Sequence, residues 1–420
     1  MSRIIVNEIQ ITDHKIEVFY EAEGEIKKHF NPKVPSFWCE YSSPIDDVPV
    51  GIAVIPFVCN VLPLVWLTDA ELILPELDRD FYLSIPKFKK GFEEMYPKVR
   101  FAGKITVEAV VEYGNREKID RKSAVFFSGG VDATASLLAH IDEKPDLVTI
   151  WGADIKLDDE MGWKNVQKHI QKVAGDFGLV TLTIRSNFRK FIKPVFGVIS
   201  TNWHDNYWYG LQHGIGIIGH IAPYAYVSGL SMTYIGSTNS PEYRMVHACA
   251  SDPRIDNHVR FAGTRVLHDQ ADCTRQDKIN HIVDYVLKKH VEMTLRVCWI
   301  SSGGKNCCHC EKCYRTIMGL LAAGAEPQKF GFDIVLSDLV QVKPYLEQKV
   351  WLSDGDIAFW KEIQRKFIEN RACLPDRNEL AWIYDYDFDK INCTFRKRMF
   401  RMFRKCRSIG SHIKHFFIRG

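Results

Sequence analysis

The chain has 420 residues, 46% hydrophobic and 25% charged, with a formal net charge of +3. These values exclude a disordered polymer and leave room for two or three packed domains. The positive charge is local: Phe395 to Gly420 holds nine Lys/Arg and no acid, so the remainder carries −6. The basic character therefore belongs to a tail and not to the body of the protein.

Residues 1–120 read as a β-rich accessory domain. The stretches IIVNEIQI, KIEVFYEA and KITVEAVVEY are rich in β-branched and aromatic residues with partial alternation. Val48–Leu67 is twenty residues without a charge, long enough to span a bilayer. Pro49, Pro56 and Pro63 would break a spanning helix, so the run is expected to form two buried strands. A helix is expected over Lys87–Met95. The first ten residues, MSRIIVNEIQ, lack the apolar core of a secretory leader, and a cytoplasmic location is expected.

Residues 121–325 change to strand–helix alternation, the pattern of a parallel doubly wound α/β sheet. Strands are expected at Ala124–Phe127, Leu147–Trp151, Leu179–Ile184, Thr233–Gly236 and Leu295–Trp299. The first runs into Ser128, Gly129 and Gly130, a turn that only small residues make this tight. Asp132 is expected to cap the following helix. A glycine turn at a helix N-terminus gathers backbone N–H groups, which is a phosphate site by geometry. Met161, Val166, Ile170, Val173 and Phe177 mark an amphipathic helix.

Gly214, Gly216 and Gly219 match G-x-G-x-x-G, but no strand precedes them. They read as the close-packing face of a buried helix against the sheet. Thr233–Asn239 ends a strand in small polar residues, with Gly236 and Ser237 able to meet a ligand. Thr274 is a plausible helix cap that places Arg275 and Lys278 on one face.

Five of twelve cysteines crowd between Cys298 and Cys313. Cys298, Cys307, Cys310 and Cys313 form C-x8-C-x2-C-x2-C, a spacing suited to a closed, structural tetrahedral Zn²⁺ knuckle, with an iron–sulfur cluster as the rival. Cys308 is the spare thiol, and Lys305, Lys312 and Arg315 are expected to offset the charge. Residues 326–392 read as helical, with Ile357, Phe359, Trp360, Ile363 and Phe367 on one face. Asp385, Asp387 and Asp389 read as a solvated acidic turn. Residues 393–420 form a basic amphipathic pattern (Phe395, Met399, Met402, Cys406, Ile409, Ile413, Phe416) interrupted by Gly410. Such a tail suits its own domain, a membrane surface, nucleic acid or a partner protein.

The strand, Ser128, Gly129, Gly130, Asp132 and the following helix resemble the SGGxDS signature of the PP-loop ATP pyrophosphatases. Ala133 stands where that signature has its final serine, and Thr134 beside it keeps a hydroxyl close. With the downstream cysteines, the pattern from Lys122 to Ala323 is similar to the 7-cyano-7-deazaguanine synthase branch. That resemblance implies ATP bound at Ser128–Asp132, including Val131, with Thr134, Gly236 and Ser237, and Lys278 or Arg275 reaching the phosphates. It further implies Mg²⁺, a cysteine-bound Zn²⁺, and a carboxylate-bearing small molecule activated as an acyl adenylate for amide or nitrile formation. Two departures stand out. About 120 residues precede the loop, and Arg315 follows the last cysteine by two positions instead of three. Both point to a divergent member with a different or larger acceptor, including a protein acceptor. A homodimer is a further expected arrangement. Two alternatives stay open: a tRNA-thiolating PP-loop enzyme using Cys249 or Cys273, and a non-catalytic nucleotide-binding module.

Overall fold

The structure is a computed structural model that describes residues 2–113, 122–193, 207–244, 248–298, 304–393 and 397. Trp299 and the basic tail, Lys397 excepted, lie outside the described residues. The chain forms two compact units, residues 1–273 with 302–304, and residues 274–301 with 305–420.

The first unit carries one mixed sheet. Its strands are β1 (Arg3–Ile11), β2 (Lys15–Glu23), β3 (Ser36–Tyr41), β4 (Glu71–Asp78), β5 (Lys104–Val111), β6 (Ser123–Phe126), β7 (Asp146–Trp151), β8 (Thr181–Ser186), β9 (Met232–Gly236), β10 (Arg260–Phe261) and β11 (Thr264–Asp269). Their order is β10-β11-β9-β6-β7-β8-β3-β2-β1-β4-β5. The five strands β11, β9, β6, β7 and β8 are mutually parallel neighbours. Numbered along the chain they run 3-2-1-4-5, the doubly wound order.

The expected purely parallel sheet is thus half of the observed one. β3 pairs antiparallel with β8 through Cys39↔Ser186, Glu40↔Arg185 and Tyr41↔Ile184. The boundary expected near residue 120 therefore falls inside a single sheet, and one apolar core serves both halves. The fifth parallel strand is β11, not Leu295–Trp299. Leu295 N donates to Phe330 O, and Val297 N and Cys298 N donate to Asn306 Oδ1, so loop partners replace a ladder.

Helices of this unit are α1 (Val50–Ala53), α2 (Ile55–Leu67), α3 (Arg79–Met95), α4 (Val131–Ala139), α5 (Glu160–Phe177), α6 (His213–Ile218), α7 (Ala222–Val227), α8 (Pro241–Arg244) and α9 (Pro253–Asp256). The proline-rich run is α1 and α2, not two strands. A run apolar on every side has no period to separate strand from helix. Pro56 sits in the first turn, where its missing N–H costs nothing. Ile55 to Trp66 is buried throughout. No helix among the described residues is long and apolar enough to cross a membrane.

α3 begins earlier than expected because Asp78 Oδ2 accepts from Phe81 N at 3.0 Å. α5 matches its expected span, although Met161 is exposed and its face begins at Trp163. The Gly214–Gly219 segment is helical and closely packed, but its neighbours are not sheet strands. A Cβ at Gly216 would lie 2.7 Å from Asn60 Oδ1, and one at Gly219 2.6 Å from the Cys59 Cβ. The glycines admit α2.

The second unit contains α10 (Arg275–Lys289), α11 (Glu311–Ala322), α12 (Val342–Gln348) and α13 (Asp354–Glu369). The cysteine segment thus groups with the C-terminal helices, and the expected boundary at 325 gives way to one at 273. α13 buries Phe359, Trp360, Ile363 and Phe367 as its spacing predicts. Asp385, Asp387 and Asp389 are exposed, with Asp387 and Asp389 paired to Lys390 and Lys361.

Candidate functional site

The site of the first unit is built where β6 and β9 lie side by side. β6 connects onward to β7 on one side and β9 to β11 on the other, so their carboxyl ends flank the topological switch point. β6 is buried along its whole length, which fixes the loop that leaves it. Gly129 has φ +78°, a conformation that favours glycine. Gly130 N faces Ser128 Oγ at 3.4 Å.

Gly130, not Asp132, is the N-cap of α4. The helix's first internal bond is Thr134 N to Gly130 O at 2.9 Å, so the amides of Val131, Asp132 and Ala133 precede it. Those first-turn amides and the helix dipole favour an anion. Asp132 stands in that turn as its acid. Thr134 is fully buried, and its hydroxyl finds no partner among the described residues.

The second wall is the loop after β9. A Cβ at Gly236 would lie 2.7 Å from Asp132 O, so only glycine lets the two segments approach this closely. Thr238 Oγ1 donates to Asp132 Oδ2 at 3.1 Å. Ser237 is buried, and its N–H donates to Asp269 O at 3.0 Å. Arg244 Nη1 donates to Asn239 O at 2.9 Å and Ala271 O at 2.5 Å, tying this loop to the one after β11. Ser128–Asp132, Gly236 and Ser237 are therefore brought together. Thr238, Arg244 and Asp269 were missed. Asp269 was invisible because β11 carries only six residues with little alternation of polarity.

Asp269 also faces His140, whose Nε2 lies within ion-pair distance of Asp269 Oδ1 at 3.3 Å and whose Nδ1 is hydrogen-bonded to Glu143 Oε1 at 3.0 Å. Burial alone pulls His140 down, but the Asp269 and then Glu143 carboxylates outweigh it and raise the pKa above 6.5. Folding thus favours the protonated ring. Its stabilising contribution is complete below about pH 6.5 and is lost as pH rises through the raised value. His140→Gln is expected to flatten that segment of the stability–pH curve, measured by urea unfolding between pH 5.5 and 8.

Cys249 lies 3.8 Å from His213 Nδ1, yet burial pushes its thiol up to about 12. A thiol held protonated is a poor sulfur carrier.

In the second unit, Thr274 caps α10 through a reciprocal box with Asp277. Arg275 and Lys278 are both buried, and the Arg275 guanidinium lies 5.9 Å from the centre of the Phe359 ring. Arg315 is committed to Asp356 at 3.1 Å and Glu311 at 3.4 Å, so it does not serve the cysteines as expected.

The four sulfurs of Cys298, Cys307, Cys310 and Cys313 lie within 4.8 Å of one another. Cys298–Cys310 and Cys307–Cys313 are each 3.9 Å apart, and none is in a disulfide. A tetrahedral ion with metal–sulfur bonds of about 2.3 Å sets its sulfurs about 3.8 Å apart, so the cluster can hold one metal ion. Cys310 caps α11 and Cys313 lies in its first turn. Hydrogen bonds from Cys313 first, then the other cysteines, bring the Cys310 thiol down to about 5. Cys308 has φ +60° and its thiol is pushed up to about 11 by burial, apart from the ligand set.

Asn306 holds this segment in shape. Besides accepting from Val297 N and Cys298 N, its Nδ2 donates to Leu295 O at 2.8 Å and Gly331 O at 3.0 Å. Asn306→Ala is expected to lower metal retention about 10- to 100-fold in competition with a chromogenic chelator.

No family model matches the chain, and neither a curated protein nor a solved structure matches it.

Proposed function

We propose that the protein is an ATP-dependent adenylating enzyme of the PP-loop type, related in its chemistry to 7-cyano-7-deazaguanine synthase. The observation that carries this reading is the Ser128–Gly130 turn feeding α4 at the switch point, with Thr238 bonded across to Asp132. A carboxylate is a poor electrophile until one oxygen becomes part of a leaving group. Attack of a substrate carboxylate oxygen on the α-phosphorus breaks the α–β phosphoanhydride and releases pyrophosphate. An amine or ammonia then displaces AMP. The amides of Val131, Asp132 and Ala133 would receive the charge that builds on the departing phosphates. Asp132 would hold Mg²⁺, which supplies neutralisation of that charge.

The cysteine cluster is proposed to bind Zn²⁺ as a closed structural site. The spacing supports this reading: sulfurs within 4.8 Å of one another fit around one ion and lie closer than a cage of irons and sulfides would set them. The high Cys249 pKa counts against the sulfur-relay alternative for that cysteine.

The test is single-turnover pyrophosphate release from ATP, with a 7-deazaguanine carboxylate and with co-expressed proteins as acceptors, products read by mass spectrometry. A burst of pyrophosphate matched by acyl-adenylate or conjugate supports the reading. ATP binding without pyrophosphate for any acceptor supports the non-catalytic module.

A further inference from the structure

We propose that the β5 edge is a self-association site, on which a second copy of this chain lays its own β5 antiparallel about a two-fold axis at Thr106. β5 ends the sheet order, and among the described residues no strand pairs with its outer side. It is eight residues long, whereas the strand at the opposite end, β10, has two. An unpaired strand of this length presents a row of N–H and C=O groups that another strand can bond.

The side chains select the partner. Ile105 and Val107 face the core, and Lys104, Thr106 and Glu108 share the exposed face. Lys104 Nζ and Thr106 Oγ1 both bond Glu71 Oε1, at 2.8 and 2.7 Å. Glu108 forms no ion pair among the described residues.

Antiparallel pairing about Thr106 sets Lys104 opposite the partner copy's Glu108, and Glu108 opposite its Lys104. Ile105 then meets Val107 on the other face. Opposite charges directly across a ladder stabilise it, and like charges oppose it. Neighbouring registers are poorer. Centring on Glu108 sets two carboxylates face to face, and pairing the whole strand end to end sets Lys104 against Val111 and Glu108 against Val107. The edge is thus self-complementary in one register, the requirement for an isologous two-fold contact. A foreign extended peptide would satisfy the backbone but has no reason to repeat this charge pattern.

The test is sedimentation equilibrium of the full chain over about 1–100 μM, where micromolar association is read. The wild type is expected to approach twice the monomer mass. Glu108→Lys alone and Lys104→Glu alone are expected to weaken dimerisation at least about 10-fold. An equimolar mixture of the two variants is expected to recover it, because every charge pair across the two-fold is then opposite in sign. Thermal unfolding of each variant separates loss of association from loss of fold. A wild type that stays monomeric over the range overturns the proposal. So does a dimer that neither substitution weakens, or a mixture that associates no better than its components.

Discussion

Asp132→Ala is expected to reduce single-turnover pyrophosphate release by at least about 10²-fold while leaving the protein folded. Removing one preorganised group from a charge-stabilising site costs on the order of 3 kcal/mol in the barrier. Removing a first-turn acid from a helix costs less than about 1 kcal/mol of stability. The two measurements therefore separate the catalytic reading from a structural one. Thr238→Val should give a smaller loss, about 10-fold, because Thr238 acts by holding Asp132 Oδ2. Its urea midpoint should barely move, since Thr238 is exposed. Full pyrophosphate release in Asp132→Ala would remove the basis of the adenylation proposal.

Cys310→Ser is expected to have the largest effect on stability. Structural four-thiolate sites bind zinc with about 10–16 kcal/mol, and that free energy is folding free energy of the segment they close. Loss of one thiolate should leave less than one zinc per chain and unfold the second unit at a lower temperature. A strong chelator should do the same to the wild type. Cys308→Ser is the control: its thiol is outside the four-sulfur set, so zinc content and unfolding should be unchanged. Wild-type protein that carries no metal after refolding with zinc would refute the assignment.

Much of the parallel half was legible because its signals are local. Four of the five expected strands occur within two residues of their expected limits, each a short run rich in β-prone residues. The glycine loop and the cysteine spacing were legible for the same reason, since both are short motifs whose chemistry depends on neighbours in sequence. The failures have a common origin in long-range partners. Val48–Leu67 carries no period, and its place as a buried helix rests on distant partners such as Gly216 and Gly219. Leu295–Cys298 has strand-like residues, but Asn306 takes its backbone donors. Arg315 looked like a counter-ion for a thiolate cluster whose last member is two residues away, yet its acids come from α13 and its own helix turn. The N-terminal strands looked self-contained because nothing in them announces that β3 needs β8.

That β3–β8 seam sets a schedule for synthesis. Cys39 must wait for Ser186, a delay of about 7–30 s at ordinary translation rates. α2 waits longer still, because Gly216 and Gly219 leave the ribosome after Ser186. During that interval an uncharged thirteen-residue segment is fully made but only partly covered, with Trp66 able to pack on Phe88 and Phe92. The N-terminal strands and α2 are thus complete as sequence well before the segments that finish covering them, an interval set by long-range topology and not by local stability.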